Sequence, residues 1–264
     1  MKLAPVPHRW NLTPRAAIAV QKRLAQLVSQ APFGREPRLV CGLDAAFSPD
    51  GRHCIGAAVV WDAVTGCTVE EQVSWRKLRF PYIPGLLSFR EAPAILAALR
   101  KLRSSPEILV CDGQGLAHPR RFGIACHVGV ITGLPTIGCA KTRLSGTHVE
   151  PGLLRGEEEP LWFEDEEIGT VLRTKDRSKP LFVSVGHRIS LTDAVTFVLS
   201  WARGHRLPEP TRLADRLVAR ERRRTLSRSD SIHVPAYPPA TAPRLIQTIN
   251  RLMSAGEMPE MRPA

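Results

Sequence analysis

Apolar positions recur along this chain at two different spacings, and the switches between them divide it into elements. Thr13 and Pro14 suit the N-cap and first position of a helix. Ala17, Val20, Leu24, Leu27 and Val28 then follow at helical spacing. Pro32 and Pro37 bracket a loop. Residues 38–47 are largely apolar, and 53–62 are again apolar after the turn Pro49-Asp50-Gly51, which is a hairpin signal. A third strand is predicted over 68–76. The run Phe80-Pro81-Tyr82-Ile83-Pro84-Gly85 packs two prolines and a glycine into six residues, which excludes helix and central strand. A helix follows over 89–103, with Ile95, Leu96, Leu99 and Leu102 on its apolar face.

Ile108-Leu109-Val110-Cys111 is short and wholly apolar, as a buried parallel strand would be, and ends in Asp112-Gly113. A helix over 119–132 and a strand over 136–140 come next. A hairpin followed by helix–strand–helix–strand predicts an α/β fold, a mixed sheet flanked by helices. The acidic, Gly- and Pro-containing stretch 150–167 reads as a surface excursion. Strands are predicted over 168–173 and 181–185, as a hairpin around 175–178, and helices over 190–203 and 210–224. From Ser227 the chain is rich in Ser, Arg and Pro, so a poorly ordered basic tail is expected over 226–264, after a domain spanning 1–225, with a short helix near 242–253.

Lys and Arg total 37 against 25 Asp and Glu, a net charge of +12 over 264 residues. That balance favours a polyanionic partner, of which nucleic acid is the commonest. Cysteines stand at 41, 54, 67, 111, 126 and 139, with no Cys-x-x-Cys pair. Small core residues are therefore expected rather than a zinc site or disulfide framework. Met1-Lys2-Leu3-Ala4-Pro5 leads into polar residues with no signal-peptide pattern, and no apolar run approaches the ~20 residues of a membrane span. The expectation is a cytoplasmic protein with no membrane partner.

Three carboxylates stand out by context. Asp44 interrupts an apolar strand, Asp112 ends one, and Glu91 lies in the first turn of a helix. Asp215 lies on the late helix. A carboxylate in a buried strand is costly unless paired or metal-bound, and converging carboxylates suit Mg²⁺ or Mn²⁺, which can support phosphodiester cleavage. Other readings stand beside this one. Ser88 and Glu91 also fit a capping box, Asp112-Gly113 also fits a turn, and Asp215 also fits a solvated helix face. After Asp112, the glycines of Gly113-Gln114-Gly115 permit close approach of a ligand. His118 could donate to a phosphate and Arg120-Arg121 could hold one; a flexible turn is the alternative. Lys141 ends another strand near these groups, either to stabilise a phosphate or as a solvated loop residue. Tyr82 on its stiff loop is a candidate to wedge into a base stack, or a tyrosine packed on the core rim. Nine arginines over 203–228 either track a phosphate backbone or form a solvated face.

Taken together, these segments resemble the endonuclease V family over residues 8–220. The resemblance is carried by Gly42-Leu43-Asp44-Ala45-Ala46-Phe47, by Pro81-Tyr82-Ile83-Pro84-Gly85 running through Phe89-Arg90-Glu91, and by Asp112-Gly113-Gln114-Gly115. His118-Pro119-Arg120-Arg121, Pro135 to Lys141, Val185 to Ser190 and Arg206 to Arg212 extend it. It implies a ribonuclease-H-like fold and a metal site of Asp44, Glu91, Asp112 and Asp215 holding Mg²⁺, with Mn²⁺ as a substitute. It also implies a wedge made of Tyr82 with Pro81, Ile83 and Pro84. Gly113, Gly115 and Gly138 would belong to a hypoxanthine pocket, His118 and Lys141 would act near the scissile phosphate, and Arg120 would contact nucleic acid. The implied reaction is hydrolysis of the second phosphodiester bond 3′ to inosine or deoxyinosine, in DNA or RNA, by a monomer that repairs deaminated bases. Gln114 stands where the family often has histidine. A non-catalytic nucleic-acid-binding protein of the same fold, or a structure-selective nuclease, is the alternative.

Overall fold

A computed structural model describes residues 1–229, with the side chains of 225–229 excepted. The expectations for the tail beyond 229, including the helix near 242–253, lie outside the described residues. Eight strands form one sheet in the order β3-β2-β1-β4-β5-β8-β7-β6. The hairpin β1 (Leu39–Phe47) and β2 (His53–Asp62) is antiparallel, and β3 (Thr68–Lys77) closes that edge. β4 (Ile108–Cys111) and β5 (Thr136–Ala140) run parallel to β1 in the centre, as their continuous apolar runs predict. β6 (Glu158–Phe163), β7 (Glu166–Leu172) and β8 (Leu181–His187) complete the sheet in antiparallel fashion.

Helices cover both faces. On one, α2 (Leu87–Lys101) and α3 (Ile124–Thr132) bury Ile95, Leu96, Leu99 and Val128 against Cys41, Leu43, Leu109 and Cys111. On the other, α4 (Leu191–Trp201) packs on Val183 and Val185, and α5 (Glu209–Ser229) packs Ala214, Leu217 and Val218 on Ala57 and Val59. The amphipathic α1 (Pro14–Ala25) packs outside α3. Its Thr13 cap accepts a hydrogen bond from the Ala16 N–H, as expected. It stops before Leu27, which is exposed.

Three expectations need correction. The stretch 150–167 contains a strand: β6 is an edge strand with one buried side chain, Leu161, and a proline at Pro160, so neither alternation nor hydrophobicity betrays it. The helix expected from residue 119 starts at Ile124, because Arg121 takes a left-handed φ of 52° and holds residues 118–122 as a loop. The capping box at Ser88 and Glu91 does not form. The helix begins at Leu87, Leu86 supplies no side-chain cap, and the Ser88 hydroxyl instead meets His127 Nδ1 at 3.0 Å. All six cysteines are free thiols, five of them buried.

Candidate active site

Strand alternation begins the site. Gly42 and Asp44 share one face of β1, and Cys41 and Leu43 share the other. A Cβ on Gly42 would lie 1.8 Å from the Pro210 carbonyl oxygen, so only glycine lets the start of α5 lie directly on β1. That contact places Asp215, in the second turn of α5, opposite Asp44. Asp112 follows β4, and its N–H donates to Leu43 O at 3.0 Å, fixing it beside Asp44. The result is a triad: one carboxylate oxygen from each of Asp44, Asp112 and Asp215 lies within 4.8 Å of the others.

Lys141, just past β5, reaches into this triad. Its Nζ is 2.6 Å from Asp112 Oδ2 and 2.6 Å from Asp215 Oδ1. Glu91 is outside the triad but lines the same cavity of about 350 Å³, together with Asp44, Asp112, Lys141 and Asp215. Burial, and then the Asp112 charge, push the Asp44 carboxyl up to about 8. Burial, with Asp44 and Asp112 behind it, does the same to Glu91, also to about 8. Burial outweighs Lys141 and leaves the Asp112 carboxyl raised as well. Burial alone would depress Lys141, but Asp112 and Asp215 more than offset it, so the ammonium is firmly charged. Four acids facing one lysine form a repulsive centre. All-oxygen donors at this spacing, with an ammonium already between two of them, fit a hard divalent cation.

A second cavity, of about 510 Å³, adjoins the first. Tyr82, Ile83, Pro84 and Gly85 form one wall and Gly113, Gln114 and Ile124 another, while Asp112, Lys141 and Leu87 belong to both cavities. Tyr82 is 64% exposed, so it projects rather than packs on the core rim. Pro81 lies outside the wall, and Gly115 and Gly138 stand behind it. A Cβ on Gly138 would lie 2.4 Å from Gly115 N and 2.8 Å from Gly113 O, so glycine there lets β5 approach the turn after β4. Gln114 Nε2 donates to Thr142 O at 2.9 Å, tying that turn to the loop after Lys141.

His118 and Arg120 come together, but on the loop rather than at the carboxylates. Arg120 N–H donates to His118 Nδ1 at 3.1 Å, which leaves the ring proton on Nε2, 2.9 Å from Gly85 O. Burial and the neighbouring Arg120 hold His118 down at about 4, hence neutral. Arg120 also donates to Gly85 O, at 2.6 Å, and to Gln21 Oε1, at 2.6 Å. Gln21 Nε2 donates to the same carbonyl at 2.9 Å and to Phe122 O at 3.1 Å. Three donors thus converge on Gly85 O and clamp the end of the Tyr82 loop. Sequence reasoning passed over Gln21. Its signal was there: a glutamine at a stripe position, four residues after Ala17 and three before Leu24.

The sequence and the sheet are matched by known proteins. A sequence model of the endonuclease V family matches residues 22–216. The chain belongs to the endonuclease V family. Endonuclease V of Xanthomonas campestris pv. campestris (strain 8004) is 48% identical over 217 residues, covering 82% of this chain and 92% of that relative. The crystal structure of the Streptomyces avermitilis endonuclease V is 44% identical with a TM-score of 0.79, covering 84% of this chain and 98% of that one. The Ciona intestinalis endonuclease V, in complex with a 24mer DNA containing an inosine followed by a ribo-adenosine, is 26% identical with a TM-score of 0.69. It covers 78% of this chain and 96% of that one. The family explains the ribonuclease-H-like sheet, and no described helix is long and apolar enough to cross a membrane.

Proposed function

We propose that this endonuclease V family member uses Mg²⁺, or Mn²⁺ in its place, to hydrolyse the second phosphodiester bond 3′ to inosine. One observation carries the reading most: the loop-walled cavity and the acidic cavity are neighbours with Asp112, Lys141 and Leu87 as their common wall. A base held in the first would be read at one point, while the backbone is cut at another a short way along the strand. That offset suits a cut displaced from the recognised nucleotide.

The residues divide the work. Asp44, Asp112 and Asp215 would hold the cation, with Glu91 facing the same space. When bound, the ion would make a water more acidic and steady the departing oxygen. Lys141 carries a charge beside Asp112 and can stabilise the extra negative charge of the phosphate in the transition state. Tyr82, projecting from the loop that Gln21, His118 and Arg120 clamp, would fill the gap left by an extruded base. Extrusion is cheapest for a mispaired base, and a close pocket at Gly113 and Ile124 would reject the guanine amino group that hypoxanthine lacks. This reading makes the protein a cytoplasmic, monomeric repair enzyme for deaminated DNA or RNA, with the catalytic unit in residues 1–225.

The test uses matched DNA and RNA strands, each with and without one inosine, incubated with Mg²⁺ and wild-type or Asp112→Ala protein. The expected product ends one nucleotide beyond the inosine, only with wild type. Binding of every strand with no cleavage under Mg²⁺ or Mn²⁺ would overturn the nuclease reading in favour of a binding protein. Equal cleavage of inosine-free flaps or mismatches would favour a structure-selective nuclease.

A further inference from the structure

Asp215, Val218, Ala219 and Arg222 of α5 all line the acidic cavity. Steps of three, four and seven residues keep them on one face of the helix. Arg222 stands about 10 Å along the axis from Asp215, and helical side chains lean towards the N-terminus, so it reaches back towards the triad. Lys141 and Arg222 are the two cations on that cavity wall. Lys141 is committed to Asp112 and Asp215, at 2.6 Å each. Arg222 has no ion pair among the described residues, whereas Arg212 pairs with Glu209 at 2.6 Å, Arg220 with Glu71 at 2.7 Å and Arg224 with Glu221 at 2.9 Å. A cation in the last turn of a helix suits the helix dipole, but α5 runs on to Ser229, which puts Arg222 too far from its end for that role. The cavities also have an order. The loop-walled cavity shares Asp112, Lys141 and Leu87 with the acidic one, and the acidic one shares Asp215 and Ala219 with a groove of about 450 Å³ beside α5. The loop-walled cavity and that groove have no lining residue in common, so the acidic cavity lies between them.

We propose that Arg222 grips the backbone phosphate next to the scissile one on its 3′ side, holding the strand across the metal site. The inference rests on the nuclease reading, which puts the cut 3′ to the inosine and so gives the strand its direction. A strand with its base in the loop-walled cavity and its severed phosphate in the acidic one leaves past α5, where Arg222 stands. The occupant is fixed by the four acids and Lys141 on the same wall, not by the charge of Arg222 alone. A guanidinium suits the place, because its fork can give two parallel hydrogen bonds to one phosphate. Its task differs from that of Lys141. Lys141 meets negative charge that grows during the reaction, whereas Arg222 meets a phosphate that is charged before and after it. Such contacts are made equally in ground and transition states, so they act on KM rather than on kcat.

The test pairs a change in the protein with a change in the strand. Wild type, Arg222→Gln and Arg222→Lys, each shown by circular dichroism to be folded, are given single strands with one inosine. One strand is unmodified. A second carries a neutral methylphosphonate at the phosphate next to the scissile one on its 3′ side, and a third carries it on the 5′ side of the inosine. With Mg²⁺, Arg222→Gln should raise KM for the unmodified strand about fivefold, the worth of one ordinary hydrogen bond, with kcat nearly unchanged. The 3′ methylphosphonate should cost wild type as much and cost Arg222→Gln nothing more, while the 5′ one should affect both alike. Arg222→Lys should recover part of the loss, since it keeps the charge without the fork. In chelator, Arg222→Gln should lower the slope of log K on log salt by about 0.7 on the unmodified strand and leave it unchanged on the 3′ methylphosphonate. Losses that simply add, or a variant that matches wild type on every strand, would overturn the contact. Wild type that cuts no inosine strand, while binding in chelator still couples Arg222 to the 3′ phosphate, would sink the nuclease reading and leave the contact standing.

Discussion

Neutralising Asp44 should stabilise the metal-free protein while abolishing its activity. The Asp44 carboxyl lies at about 8 against an ordinary 3.8, through burial first and the Asp112 charge second. At pH 7 the unfolded chain therefore holds it ionised and the folded chain holds it protonated. A pH unit of separation is worth about 1.36 kcal/mol, so the 3.2 units between 3.8 and 7 cost the fold about 4 kcal/mol. Asp112 shares that repulsion, so the gain expected for Asp44→Asn at pH 7 is about 2–4 kcal/mol. The sign follows from the raised folded value. The penalty is absent below about pH 4, grows as pH rises towards 8 and is constant above. Urea denaturation in chelator should find the two proteins equally stable near pH 4 and the variant more stable at neutral pH. Added Mg²⁺ should reverse the order, because it gives the wild-type carboxylates a partner and the variant has lost a ligand. A variant less stable than wild type at neutral pH in chelator would refute the reasoning, since Lys141 would then already balance the centre.

Lys141 Nζ lies between Asp112 and Asp215, where it would compete with a bound ion. Lys141→Met should thus tighten Mg²⁺ binding several-fold in calorimetry while turnover collapses; weaker binding would disprove the competition. Gln21→Leu removes a donor from Gly85 O and leaves Arg120 Nε without its acceptor, at a cost of about 1–3 kcal/mol. Cleavage of duplex inosine substrate should fall at least several-fold further than cleavage of single strands, whose base needs no extrusion; an equal fall would mean the clamp does not position the loop. Gly42→Ala drives a Cβ into the Pro210 carbonyl. It should shift α5, carry Asp215 out of the triad and lower stability by about 3 kcal/mol or more, read by thermal melting and loss of Mg²⁺-induced stabilisation.

The sequence made some of this structure legible and hid the rest for physical reasons. The β1–β2 hairpin is readable almost to the residue, because apolar runs and a Pro-Asp-Gly turn coincide there. Asp44 is readable because a carboxylate inside such a run contradicts its surroundings. Local rules misled where a distant partner took the same atoms. Ser88 had the spacing of a cap, but His127, 39 residues away, claims its hydroxyl. His118 and Arg120, expected near a phosphate, both donate to Gly85 O, 33 and 35 residues away, and His118 also lines the cavity that Asp112 and Lys141 share. Asp215 was an ordinary helix acid until Gly42 let α5 lie on β1. β6 was hidden because an acidic edge strand buries too little to leave a period.

On the proposed reading, base recognition and cleavage would meet at Asp112 and Lys141, which have one structural origin. β4 and β5 are parallel neighbours, so the positions just past their ends, Asp112 and Lys141, emerge side by side. Glycine at 138 lets the two strand ends close together. The polar part of the wall between the cavities is therefore built on central strands, whereas Tyr82 stands on a loop held by side-chain clamps. The distance from recognised base to severed bond should then be set by the strand pair, and the efficiency of extrusion by the loop. Tyr82→Ala should slow cleavage of duplex substrate at least fivefold or so, since stacking on one base is worth about 1–3 kcal/mol. It should leave the cut at the same bond. Mapping product ends at single-nucleotide resolution decides the matter: a cut that moves along the strand would show that the loop, and not the β4–β5 pair, sets the register.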